Sequence, residues 1–97
     1  MLDRAPMITS GRQIKAARAL AGLDQSKLAI AAGIHRNAVA YWEARDAIAH
    51  EPEPFAVHAM RKALRAAGVF TMRKPAPGVL LYTAHNLSVR PAREVAP

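Results

Sequence analysis

The chain contains no cysteine. That absence excludes disulfides and thiolate metal sites, and it suits a reducing compartment. Aromatic residues are scarce, with one Trp, two Tyr and two Phe in 97 residues. Alanine supplies much of the apolar half of the composition, which favours helices. Acidic residues are in the minority: seven Asp/Glu face fourteen Lys/Arg, for a formal net charge of +7. Such a balance fits a polyanionic partner, either nucleic acid or an anionic membrane surface. No apolar run approaches the roughly 20 residues of a membrane span. Met1 to Ser10 lacks the apolar stretch of a secretion signal. The expectation is a cytoplasmic protein with no membrane partner.

Reactive constellations are also missing. His35, His50, His58 and His85 are scattered, and no carboxylate or thiol set completes a metal site around them. No nucleophile–base pair, phosphate-cradling glycine loop or paired-carboxylate pattern stands out. The sequence therefore predicts no enzyme activity, no metal and no cofactor.

The length predicts one small domain with tails. Its modest core leaves room for dimerisation to add stability. Residues 1–9 read as an N-terminal arm. Thr9 or Ser10 can cap a first helix over Gly11 to Ala21, buried through Ile14, Ala17 and Ala21. Gly22 ends that helix, and Asp24 is a natural N-cap for a second over about Gln25 to Ala32. A third covers about Arg36 to Ala44, with His35 at its N-cap, a weaker capping type than Ser or Thr. After an acidic loop, Pro54 suits the first turn of a fourth helix reaching about Ala67. Val57, Met60, Leu64 and Ala67 share one of its faces. Val69–Met72 and Val79–Thr83 are β-prone runs flanking a Pro/Gly connector, the pattern of a hairpin. Residues 84–97 read as a flexible tail. The predicted fold class is mostly α: a compact helix-turn-helix bundle of about four helices in residues 10–68, followed by a short β element in residues 69–83.

The densest signal lies between Gln25 and Glu43. Leu28, Ala32, Val39 and Trp42 fall at helical spacing on inward faces. Ala29 lets a second helix approach closely, and Gly33 supplies positive φ between the two helices. Arg36, Asn37 and Tyr41 lie between the buried positions of the third helix. They are side chains of the kind that read base edges in a DNA major groove. The competing reading is a solvated helix face. Arg61, Lys62 and Arg65 on the fourth helix read more simply as a solvated face than as phosphate contacts.

With Arg18 upstream and Glu43 at the end, this signature resembles the lambda-repressor/Cro-like (XRE) family of helix-turn-helix DNA-binding proteins. The resemblance covers roughly residues 10–67 and is strongest from Gly11 to Glu43. It rests on Gly11-Arg12-Gln13-Ile14-Lys15-Ala16-Ala17-Arg18 and Gly22-Leu23-Asp24-Gln25-Ser26-Lys27-Leu28-Ala29. It implies a transcriptional regulator, by default a repressor, that binds double-stranded DNA as a homodimer. The implied DNA-contacting set is Gln25, Lys27, His35, Arg36, Asn37, Tyr41 and Arg45. Gln25 would bond a phosphate or orient the reading helix. Arg18 and Glu43 match a structural ion pair tying the first helix to the third. Two positions depart from the family pattern: His35 replaces a small hydroxyl cap, and Ala44-Arg45 stands where Asn-Gly is common. The rival expectation is an antitoxin-like or antiactivator module that holds a protein partner through its C-terminal element.

Overall fold

A computed structural model describes residues 7–49, 52–72 and 77–81. The predicted tail, His50, His85 and Thr83 lie outside the described residues. The elements are α1 (Gly11–Ala21), α2 (Gln25–Ala32), α3 (Arg36–Glu43), α4 (Phe55–Ala66), β1 (Val69–Met72) and β2 (Gly78–Leu81). The expected mostly α architecture with a C-terminal hairpin is what the chain adopts. β1 and β2 pair antiparallel, Val69 opposite Leu81 and Met72 opposite Gly78. Among the described residues, no helix is long and apolar enough to cross a membrane.

Local chemistry accounts for the helix ends. Ser10 accepts the Gln13 N–H through its hydroxyl, and Asp24 accepts the Lys27 N–H at 2.8 Å. Gly33 at φ 70° closes α2, a conformation in which any Cβ would be strained. The expectation for His35 needs correction. Its Nδ1 accepts the Asn37 N–H at 3.0 Å, so the imidazole does the capping work of a hydroxyl. α3 also needs no left-handed residue at its end. Ala44 stays right-handed, and its N–H bonds back to Ala40 and Tyr41. Pro54 sits at the N-cap of α4 rather than inside its first turn.

The core is aliphatic. Ile14, Ala17, Leu28, Val39, Val57, Met60 and Leu64 are fully buried, with Trp42 half-buried against them. Ala21 and Ala32 are likewise half-buried rather than internal. Two core residues lie outside the predicted helices and strands: Ile8, at 1% exposure, and Ile48. Complete burial of an isoleucine contributes roughly 1.5–3 kcal/mol. The end of the N-terminal arm is therefore part of the packed domain, and Met7 N–H reaches the Thr71 carbonyl at 3.3 Å.

Three devices fasten these elements. Gly11 lies where an added Cβ would collide with the backbone carbonyls of Trp42 and Glu43. Its N–H donates to the Arg45 carbonyl at 2.8 Å, so α1 starts directly against the end of α3. Gln13, only 5% exposed, accepts the Thr9 N–H through Oε1 at 2.8 Å. Its Nε2 donates to the Met72 and Gly78 carbonyls at 2.7 Å each, locking the hairpin onto α1. Glu53 accepts both Arg61 Nε at 2.8 Å and Nη2 at 2.9 Å, with His58 Nδ1 3.0 Å from Oε1. That cluster pins the loop before α4. Glu53 thereby acts as a specific acceptor.

The hydrogen bonds from Arg61, assisted by His58, hold the Glu53 carboxyl below its ordinary value against the opposing effect of burial. The unfolded chain therefore takes up this proton first as pH falls. The stabilisation is complete above the ordinary value, about 4.5, and is lost below it. Glu53→Gln should flatten the fall of melting temperature below that pH, read by circular dichroism across an acid series.

Thr71 is 3% exposed, and its Oγ1 has no hydrogen-bond partner among the described residues. A buried, unpaired hydroxyl costs about 1–3 kcal/mol. The near-isosteric Thr71→Val should raise the denaturation midpoint by an increment of about 1 kcal/mol in unfolding free energy. A destabilised Thr71→Val would mean that the hydroxyl is satisfied.

Candidate nucleic-acid interface

α3 is anchored on one side and bare on the other. Val39 is fully buried, and Trp42 packs against the core. Arg36, Asn37 and Tyr41 are exposed together on the opposite side, Tyr41 by 53%. Their helical spacing lines them along one outward face. The Arg45 guanidinium lies 5.2 Å from the Tyr41 ring centroid, and the Tyr41 ring meets Trp42 edge-on at 5.0 Å. A cation over an aromatic face is held electrostatically, so Arg45 continues the cationic edge beyond the helix end. His35 is exposed at the other end. Its Nδ1 is engaged by the Asn37 N–H, which leaves Nε2 for other partners.

The orientation of α3 rests on Glu43. Arg18 Nε donates to Glu43 Oε2 at 2.6 Å, and Nη2 donates to Oε1 at 3.1 Å. Arg18 Nη1 donates to the Leu23 carbonyl at 3.1 Å. The expected ion pair is thus present, and it is bidentate. The Glu43 side chain is 5% exposed and that of Arg18 16%. The hydrogen bond to Glu43 holds the Arg18 guanidinium above its already high pKa, against the opposing effect of burial. Gln25 completes the arrangement, donating through Nε2 to Glu43 Oε1 at 3.1 Å. Of the two roles expected for Gln25, the structure displays the orienting one.

Lys27 is exposed in the first turn of α2. Ser26 joins Arg18, Asp24, Gln25 and Arg36 around a shallow cleft between the starts of α2 and α3. Its only sequence signal was its position beside Gln25. Asp24 places a carboxylate in that cleft, which limits how closely an anion can enter. The structure therefore gathers His35, Arg36, Asn37, Tyr41 and Arg45 along α3, with Lys27 on the neighbouring helix and Gln25 behind them. Among the described residues, no group of three or more His, Asp or Glu side chains is placed to hold a metal ion.

No family model matches the chain, and no curated protein matches it.

The two sides of the ion pair should be strongly coupled. Arg18→Ala strands a nearly buried carboxylate, and Glu43→Ala removes the shared acceptor of Arg18 and Gln25. The sum of the two single losses should exceed the loss in the double variant by roughly 0.5–3 kcal/mol in denaturant melts. Additive losses would show that the pair does not interact.

Proposed function

We propose that the protein binds duplex DNA sequence-specifically, placing α3 in the major groove. The observation that carries this reading is the exposed set of Arg36, Asn37 and Tyr41 on a helix fixed to the core through Val39 and to α1 through Glu43. A rigid helix with bidentate donors on its free face suits base reading. Arginine matches guanine O6 and N7, and asparagine matches adenine N6 and N7. Tyr41 sits about one turn on from Asn37, within reach of a base edge, a thymine methyl or the sugar backbone. Lys27, His35 and Arg45 flank the helix and supply phosphate contacts, which set position rather than sequence. The net charge of +7 adds a nonspecific attraction that weakens with salt.

On this reading the protein is a regulator of the lambda-repressor/Cro-like type, repressing by occluding a promoter. It acts as a homodimer on two half-sites about one helical turn (~34 Å) apart. The hairpin contributes to assembly through Leu80 on β2, a large apolar side chain that is 40% exposed.

Selection of bound duplexes from a random library should recover a two-fold symmetric motif. Arg36→Ala or Asn37→Ala should each cost roughly 1–3 kcal/mol on the selected site and relax one or two of its positions. An unchanged motif in the double variant would overturn the assignment of α3 as the reader.

A further inference from the structure

We propose that the groove between α2 and α4 docks an acidic amphipathic helix from a partner protein. The groove encloses about 390 Å³, and Ala31, Ala59 and Ala63 form much of its wall. Side chains this small leave room for the apolar stripe of an incoming helix. Phe55 lines the groove and is 79% exposed, an unusual position for a large aromatic side chain. Apolar surface of this kind with a polar rim is characteristic of an interaction site.

Charge selects the occupant. Lys62 and His58 line the groove and are exposed. Among the described residues, no carboxylate lines the groove. Glu53, hydrogen-bonded near His58, already has both oxygens engaged by Arg61. A two-fold contact between copies would set this cationic rim against itself, on a chain that carries +7 overall. DNA would meet alanine and phenylalanine where phosphate needs donors. None of the α3 candidates lines the groove, so a partner seated there leaves the proposed DNA-reading face free. An acidic helix satisfies both features: its apolar residues at i, i+3, i+4 and i+7 fill the groove. Its flanking carboxylates meet Lys62, which favours encounter and makes binding salt-sensitive.

The test uses two synthetic amphipathic peptides with the same leucine stripe, one flanked by glutamate and the other by lysine. Each is titrated into the full-length, isotope-labelled protein and followed by amide chemical shifts. The glutamate peptide should move Ala31, Ala59 and Ala63 and leave Arg36 to Tyr41 in place, with affinity falling as salt rises. The lysine peptide should not bind. Phe55→Ala should weaken the glutamate peptide roughly tenfold or more, and Lys62→Glu should shift preference toward the lysine peptide. Both substitutions are at exposed positions, and circular dichroism checks that the fold is retained. Equal binding of both peptides, or of neither, overturns the proposal. Groove shifts that grow with protein concentration alone assign the face to a second copy and overturn it as well. Groove shifts on adding duplex DNA do the same in favour of nucleic acid. Loss of DNA binding in Arg36→Ala with peptide binding intact keeps the two sites separate.

Discussion

Glu43 is the constraint on which the arrangement of the first three helices depends. It receives two hydrogen bonds from Arg18 on α1 and one from Gln25 at the start of α2, while itself belonging to α3. The pair lies mostly out of solvent, so desolvation offsets a large part of its attraction. Its value is directional. A planar guanidinium and a planar carboxylate joined at two points permit few relative orientations. The close approach of Gly11 to the end of α3 adds a steric limit at the same place. Hydrophobic packing around Leu28 and Val39 holds the helices together; the polar hub fixes how α3 is turned.

The same division between packing and polar fastening recurs at the hairpin and the loop before α4. Val69 enters the common core, whereas Gln13 fixes where the hairpin sits by binding carbonyls from both strands. Glu53 fastens the loop before α4 to Arg61. These contacts leave two separate free surfaces. One is the cationic outer side of α3, which suits a nucleic acid. The other is the apolar α2–α4 groove with its positive rim. On the proposed readings of the two surfaces, their separation leaves both accessible at once.

Much of the helical framework was legible in the sequence because it rests on local chemistry. Asp24, Ser10, Gly22 and Gly33 mark helix ends through interactions within a few residues. Ile14, Leu28, Val39, Val57, Met60 and Leu64 announced the core through periodicity, and all are buried. The candidate set on α3 was legible for the same reason: fixing Val39 inward turns Arg36, Asn37 and Tyr41 outward. Ile8 and Ile48 were not legible, since isolated apolar residues in irregular chain carry no period. His35 was undervalued as a cap because residue-type preference does not specify a ring's rotation.

The sequence by itself determined the order and approximate bounds of four helices and a hairpin, the positive charge, and which face of each helix is apolar. Those properties depend on neighbours along the chain, where 3.6-residue periodicity and capping operate. Only the tertiary structure decided that Gln25 serves Glu43, that Gln13 grips both hairpin strands, and that Arg45 stacks on Tyr41. It also decided that alanines of α2 and α4 face one another across an open groove. Such contacts join residues from different elements. They depend on distances of a few ångströms and on side-chain direction, quantities set only once the helices have packed.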